Sequence, residues 1–186
     1  VPGSAKLEDK DGNGSITADD KKIIGSKLPS FLLSMGNRFD YKNIYFSFLL
    51  NGVFGQTKEL HDYNFDRWMP TYNYISGMDY WTPENPTNIP AFSGAEYVNS
   101  SRWVEKGDYL RLKNITLGYR IPRKILSKIG CSSARIYVSA NNLWTITNYS
   151  GFDPEASMGA DSDAAGVDRG VYPSSKSFLV GLDISF

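Results

Sequence analysis

The C-terminal stretch of the chain reads Ser177-Phe178-Leu179-Val180-Gly181-Leu182-Asp183-Ile184-Ser185-Phe186. Its apolar side chains stand at every second position: Phe178, Val180, Leu182, Ile184 and Phe186. Because successive side chains of a β-strand point to opposite faces, this alternation predicts a strand with one apolar face and one polar or small face. The stretch is longer than the ~5–6 residues of a typical globular strand.

Four other segments alternate in the same way and are predicted as strands: 31–41, 44–55, 109–121 and 134–143. In the second of them, apolar residues occupy the even positions, while Ser47 and Asn51 lie on the opposite face. A short break at 41–43 predicts a hairpin between the first two strands. Segment 123–129 predicts one or two amphipathic helical turns, with Ile125, Leu126 and Ile129 packed inward.

The lengths of the strands and of their connections favour a sheet that crosses a membrane. A tilted transmembrane strand needs ~9–11 residues. The connections at 41–43 and 122–133 are short and those at 56–108 and 145–175 are long, and outer-membrane barrels alternate short periplasmic turns with long extracellular loops. The sequence therefore predicts an all-β fold, an antiparallel transmembrane β-barrel segment of about five long strands with two long extracellular loops. A soluble antiparallel sheet or sandwich would alternate too, and pattern alone leaves it open.

The amino-acid composition excludes several classes of binding partner and of functional site. The 186 residues contain 20 Lys+Arg and 20 Asp+Glu, and this zero net charge removes the long-range attraction that binding of nucleic acid needs. One Cys and one His argue against a disulfide framework and against His-based catalysis or metal binding. The 12 Tyr, 10 Phe and 4 Trp fit lipid-facing positions and loops. Tyr41, Tyr119 and Tyr137 are expected at the membrane–water interface.

A calcium-loop pattern precedes the first strand. Oxygen-bearing side chains recur at the spacing of a twelve-residue calcium loop, with Gly14 at its turn position. The predicted Ca²⁺ ligands are Asp9, Asp11, Asn13, Ser15, Thr17 and Asp20. Asp20 stands where a longer Glu is usual. The alternative is a turn rich in Asp and Asn that its own side chains stabilise.

From Asp9 to Phe186, the chain resembles the C-terminal portion of the SusC/RagA family of TonB-dependent outer-membrane transporters. The resemblance rests on collinear stretches, several of them long. They are Asp11-Gly12-Asn13-Gly14-Ser15-Ile16, Ile24-Gly25-Ser26, Tyr80-Trp81-Thr82-Pro83-Glu84-Asn85-Pro86, the run 101–119, Arg135-Ile136-Tyr137-Val138-Ser139-Ala140-Asn141-Asn142-Leu143, Tyr149-Ser150-Gly151-Phe152-Asp153-Pro154-Glu155, Tyr172-Pro173 and Phe186.

This resemblance implies a function and a location. Members of the family import oligosaccharides or peptides through a barrel of ~22 strands in the outer membrane of Gram-negative bacteria. A SusD-like lipoprotein caps the extracellular mouth, and the TonB complex supplies energy from the periplasm. Five strands cannot close such a barrel, so the chain is expected to be a fragment or one part of a split protein. Residues 1–30 are expected to form an extracellular loop, and residues 31–186 the C-terminal strands and loops.

The resemblance also implies a role for the last strand. A terminal Phe preceded by apolar residues at every second place is similar to the signal for outer-membrane assembly, which implies this role for Phe178, Val180, Leu182, Ile184 and Phe186.

Aromatic side chains of the first long loop, 56–108, are candidates for contact with the substrate or with the lipoprotein: Trp68, Tyr80, Trp81 and Trp103. They could instead pack the loop onto itself or onto the barrel rim. Acidic pairs such as Asp19 and Asp20 are more typical of solvated loops than of a catalytic dyad, so no enzyme activity is predicted. The alternative function is a soluble, β-rich, calcium-stabilised carbohydrate-binding module.

Overall fold

A computed structural model describes residues 2–60, 79–91, 101–128, 130–156 and 165–186. Its eight strands are β1 (Phe31–Tyr41), β2 (Ile44–Phe54), β3 (Thr57–Leu60), β4 (Val104–Lys106), β5 (Tyr109–Arg120), β6 (Ser133–Thr147), β7 (Val167–Asp168) and β8 (Ser177–Ser185). The short helix α1 spans Arg123–Leu126, and single 3₁₀ turns lie at Ala18–Asp20 and Ser101–Trp103. Among the described residues, no helix is both long and apolar enough to cross a membrane, a finding that concerns helices alone.

The five long strands form one antiparallel sheet in the order β1-β2-β5-β6-β8. They contain 11, 11, 12, 15 and 9 residues, which is enough for a tilted strand to cross a bilayer. Within the described ranges, β1 and β8 are each paired on one side only, so the sheet is open. The predicted fold class, an antiparallel β-barrel segment, is confirmed.

Rows of paired residues define the two faces of this sheet. One row runs through Phe39, Phe46, Leu117, Val138 and Val180, and we call its side of the sheet the outer face. The adjacent row runs through Asp40, Tyr45, Gly118, Tyr137 and Gly181, on what we call the inner face. In these two rows, the alternation read from the sequence therefore holds in register across all five strands.

Aligned irregularities interrupt the sheet near its middle. The register shifts between Leu49 and Leu50 on β2, and between Leu112 and Asn114 on β5. On β6, Asn142 adopts a positive φ of 50°. An extra residue at such a bulge resets which face the following side chains take. The alternation expected for β6 ended at Leu143 for this reason, whereas the strand continues to Thr147 with Trp144 and Ile146 on the outer face.

A second, smaller sheet has the order β4-β3-β7. Strand β3 pairs antiparallel with β4 and parallel with β7. Strands β3, β4 and β7 have 4, 3 and 2 residues, too short to show a period, and they lie inside the segments that the sequence left irregular. The backbone N–H of Thr57 on β3 donates to the carbonyl of Ser26 at 2.8 Å, which holds the N-terminal segment against this sheet.

Helix α1 is shorter than predicted. It spans Arg123–Leu126, and only part of the predicted inward packing occurs. Leu126 is buried, but Ile125 is 55% exposed, so its expected inward packing is wrong. A single helical turn between two strands can direct one side chain at the sheet, and Leu126 holds that position. Ile129 lies outside the described residues.

Candidate functional site

The outer face stays apolar and exposed. Phe178 is 74% exposed, Val180 73% and Leu182 60%, and the exposed apolar set continues through Val138, Leu117 and Phe39 on the other strands. A soluble monomer rarely shows so continuous an apolar surface, whereas the lipid-facing side of a barrel requires one. The five residues of the predicted assembly signal lie on or next to β8, which is an edge strand within the described chain.

Two of the three predicted interface tyrosines fit this arrangement. Tyr41 and Tyr119 belong to the outer-face row that also contains Ile44, at the end of the sheet with the short connections. Tyr137 is on the inner face instead, because it pairs with Gly118 and Gly181. The expectation of a lipid interface for Tyr137 is therefore wrong.

On the inner face, tyrosines cover glycines of the next strand. A Cβ on Gly118 would lie 2.2 Å from Cζ of Tyr45, and one on Gly181 would lie 2.2 Å from Cζ of Tyr137. The guanidinium of Arg38 sits 4.7 Å from the centroid of the Tyr45 ring. Glycine is required at both positions because the neighbouring ring fills the space that a side chain would need.

The middle of the inner face is a neutral hydrogen-bonding surface. The Asn114 amide donates to Oδ1 of Asn141 at 2.7 Å and to the Ser139 hydroxyl at 3.1 Å. Thr116 and Ser139 also bond, at 3.0 Å. Such a surface is compatible with water or with a polar polypeptide in the lumen of a barrel.

A buried ion cluster, which we call the loop cluster, holds the 149–156 segment of the second long loop against the start of β5. Nη2 of Arg111 donates to Oδ1 of Asp153 at 2.5 Å, and its Nη1 donates to Oε2 of Glu155 at 2.7 Å. Nζ of Lys113 donates to the same Glu155 oxygen at 2.5 Å. Both Arg111 and Asp153 are buried. The cluster fixes the loop on the sheet through partners distant in sequence.

Charge and hydrogen bonding determine the ionisation of the loop cluster. Burial by itself raises the pKa of Asp153, but hydrogen bonds from Arg111 and from the backbone N–H groups of Glu155 and Ser174 hold this pKa at about 2. The carboxylate is therefore charged at neutral pH. Removal of either partner of its ion pair with Arg111 would strongly lower the stability of the fold, because the remaining charge would stay buried without a partner.

Lys58 of β3 connects this cluster to the second sheet. Its side chain is buried, and Nζ donates to the backbone carbonyl of Ala156. Burial lowers the pKa of Lys58, and the nearby Asp168 carboxylate offsets part of that effect. Asp168 in turn accepts a 2.6 Å hydrogen bond from the Tyr149 hydroxyl. These contacts join β3, β7 and the 149–156 segment into one packed unit above the sheet.

The sequence did not reveal this polar core. Residues 149–155 belong to a stretch that carried the resemblance, but no periodicity shows that Asp153 reaches Arg111. Lys58 lies in a strand of 4 residues, where alternation cannot be recognised. Lys58 stands next to Glu59 in the sequence, and such a lysine is expected to be solvated. Only the folded structure shows that it is buried.

The predicted calcium loop folds around its acidic side chains. Carboxylate oxygens of Asp9, Asp11 and Asp20 all lie within 4.8 Å of one another. Asp9 accepts hydrogen bonds from the backbone N–H groups of Gly12 and Gly14, both at 2.8 Å. Three convergent carboxylates form a donor set that suits a hard divalent cation, so these residues fit Ca²⁺.

The other predicted ligands hold the loop together. Oδ1 of Asn13 accepts from the backbone N–H of Ser15 at 2.8 Å. Thr17 caps the short 3₁₀ turn, where its backbone N–H donates to Oδ2 of Asp20 at 2.6 Å. Asp20 thus binds the loop backbone and also belongs to the carboxylate cluster.

The loop aromatics are partly used in packing. A Cβ on Gly3 would lie 2.6 Å from Cε3 of Trp81, so the N-terminal segment covers that ring. The Arg102 guanidinium lies 4.5 Å from the centre of the Trp103 ring. Tyr80 forms a β-bridge with Ile89. Tyr80, Trp81 and Trp103 are each half-buried. Trp68 lies outside the described residues.

Comparison with known proteins reveals homologues along the whole chain. No protein-family model matches it. The TonB-dependent receptor P3 of Formosa agariphila is 36% identical over 193 residues, covering 100% of this chain and 19% of that receptor. The TonB-dependent receptor SusC of Bacteroides thetaiotaomicron is 28% identical over 186 residues, covering 96% of this chain and 17% of SusC. The chain thus spans about a fifth of the length of these relatives.

Solved structures show the same fold. A chain of the RagAB peptide importer in the open-open state superposes with a TM-score of 0.73 at 25% identity, covering 92% of this chain and 19% of that one. The closed-closed state also gives 0.73, at 26% identity and with 100% of this chain covered.

These relatives define the class of the protein: the chain is a homologue of the TonB-dependent receptors. Within that class, the SusC homology and the RagAB likeness confirm the resemblance to the SusC/RagA family. The comparisons lend no support to a soluble carbohydrate-binding module.

Proposed function

We propose that the chain contributes lipid-facing strands and extracellular loops to a TonB-dependent nutrient importer in the outer membrane of a Gram-negative bacterium. The observation that carries the proposal is the apolar outer face, continuous from Phe39 on β1 to Val180 on β8. A face of this kind is stable in lipid, while the opposite face offers amides, hydroxyls and ion pairs to an aqueous lumen. The function is transport, with the barrel wall as this chain's part in it.

The substrate class we propose is a peptide or an oligosaccharide. The RagAB likeness favours a peptide, because that complex is a peptide importer by name, whereas the family resemblance leaves an oligosaccharide open. Partners of the whole receptor would be a SusD-like lipoprotein on the loop side and the TonB complex on the other. Residues 2–30, the second sheet and the half-buried Tyr80, Trp81 and Trp103 would lie on the loop side, where lipoprotein and substrate would arrive.

Uptake by cells tests this proposal. Cells that produce the complete receptor and its lipoprotein should accumulate a fluorescent peptide library or labelled oligosaccharides, and a protonophore should abolish the accumulation. Uptake of one class alone would identify the substrate. Unchanged uptake after deletion of the receptor gene would contradict the importer function.

We also propose that the 9–20 loop binds Ca²⁺ through Asp9, Asp11 and Asp20, with Asn13, Ser15 and Thr17 completing the oxygen set. The support is the spacing together with the convergence of three carboxylates within 4.8 Å. Bound Ca²⁺ would neutralise their mutual repulsion and fix the N-terminal segment beside the second sheet.

A further proposal concerns β8. Its alternating residues from Phe178 to Phe186 act as an assembly signal, supported by their exposure on the outer face. Phe186→Ser in the complete receptor should lower the amount in the outer-membrane fraction, while Ser185→Ala should not. Equal amounts of both variants would contradict this role.

A further inference from the structure

A cavity of mixed polar and apolar lining lies at the end of the sheet with the short connections, beside helix α1. Its volume is about 340 Å³. The lining combines cationic, hydroxyl and apolar side chains: Arg120, Ile121, Arg123, Leu126, Ser132, Ser133, Ala134, Arg135 and Asp183. Neither the barrel architecture nor the proposed transport function assigns a ligand to this space.

The cavity has an excess of positive charge. Arg120 pairs with Asp40 through Nη2 at 2.6 Å, and Arg135 pairs with Asp183 through Nε at 2.6 Å. Arg123 forms no ion pair with any other residue in the described part of the chain. Three guanidinium groups therefore face two carboxylates, one of which, Asp40, is not part of the lining.

Hydrogen-bond donors remain available in the same place. A guanidinium carries five N–H donors, and Arg120 and Arg135 each contact a carboxylate through a single nitrogen. Leu126 and Ala134 are buried and form the apolar part of the wall. Arg120 and Arg135 are 45% and 50% exposed, so an anion can reach their free N–H groups from solvent.

We propose that this cavity binds an oxyanion, of the carboxylate or phosphate type, with Arg123 as its principal ion-pair partner. Planar guanidinium groups match both oxyanions through paired N–H···O contacts. Two sources can supply this chemistry: an acidic side chain from another part of the receptor, or free inorganic phosphate. The proposal is independent of the transported substrate.

Calorimetric titration of the purified complete receptor in detergent with inorganic phosphate tests the free-ion source. Saturable binding is expected, and Arg123→Gln should raise the dissociation constant about tenfold or more. Lys124→Gln is the matched control, because Lys124 is an exposed cation on the same helix that does not line the cavity. Equal loss of binding in both variants would contradict the site.

Cross-linking tests the side-chain source. In the Arg123→Lys variant, a carbodiimide should join the new amine to the resident carboxylate, and mass spectrometry should identify a cross-linked peptide that contains neither Asp40 nor Asp183. Lys124 of the wild-type receptor supplies the background. Absence of both phosphate binding and an Arg123→Lys cross-link would overturn the proposal.

Discussion

The ring of Tyr45 on β2 covers the backbone of Gly118 on β5 so closely that a Cβ there would lie 2.2 Å from its Cζ. Tyr45 is buried, and the guanidinium groups of Arg38 and Arg120 lie 4.7 and 5.2 Å from its ring centroid. Tyr137 and Gly181 repeat the relationship on β6 and β8. The inner face is thus packed by tyrosines that require glycine on the adjacent strand.

Gly118→Ala should destabilise the sheet, because the added methyl group must displace the Tyr45 ring from its packed position. Overpacking of this kind costs about 1–3 kcal/mol. Gly36→Ala is the control, since its Cβ would meet only Leu49 Cδ1 at an ordinary 3.8 Å. Urea unfolding of the receptor in lipid vesicles measures both variants. Equal midpoints would show that the Tyr45 ring moves aside freely.

Arg111→Gln should release the 149–156 segment from the start of β5. The substitution leaves the buried Asp153 carboxylate without its cation, and loss of one partner of a buried pair costs about 3–5 kcal/mol. Arg38→Gln breaks the exposed pair with Asp40 and should cost less than about 1 kcal/mol. Amide hydrogen exchange of residues 149–156 reports the difference. Unchanged protection in Arg111→Gln would mean that the loop is held by other contacts.

Acid should release the same loop. The folded-state pKa of Asp153, about 2, lies below its ordinary 3.8, so the carboxylate stabilises the fold fully above pH 3.8 and loses this effect as the pH falls through 2. The difference corresponds to roughly 2 kcal/mol. Exchange of the Glu155 and Ser174 amides, corrected for the intrinsic effect of pH, should accelerate in this range. In Asp153→Asn that change should vanish, and its persistence would assign it to another group.

Calcium should bind the 9–20 loop with a stoichiometry of one. Asp20→Asn removes one of the three converging carboxylate charges and should weaken binding at least about tenfold. Asp19→Asn removes an equal charge next to the site but outside the cluster and should leave affinity nearly unchanged. Calorimetry at millimolar calcium distinguishes them. Absence of heat from the wild-type receptor would leave the loop as a turn held by its own hydrogen bonds.

Regular alternation made the long strands predictable. Strands β1 and β2 were expected at 31–41 and 44–55 and occur at Phe31–Tyr41 and Ile44–Phe54, because period-two burial is readable wherever lipid and lumen lie on opposite sides. The prediction for β6 stopped short where Asn142 breaks the alternation. Strand β5 was predicted at 109–121 in spite of its own irregularity at Leu112–Asn114, so such a break hides a strand end only where few alternating residues follow it.

The parts that the sequence could not predict depend on long-range contacts. Lys58 reaches Ala156, and Arg111 reaches Asp153, a separation of 42 positions. The polar core of the loops arises from these pairings, which no spacing rule specifies. The 9–20 loop is the opposite case, since the six proposed calcium ligands fall within one short segment and the carboxylates of Asp9, Asp11 and Asp20 converge as the pattern predicts.

In the proposed importer, one face of the sheet meets lipid and the other meets the lumen, and two adjacent leucines test this arrangement directly. Leu50 pairs with Leu112 on the outer face, while Leu49 pairs with Asn114 on the inner face. Leu50→Lys should cost about 2–4 kcal/mol, the penalty for a lysine near the bilayer midplane, and should deplete the folded receptor from the outer membrane. Leu49→Lys should be tolerated. Equal yields of the two variants, or greater damage from Leu49→Lys, would contradict the assignment of the faces.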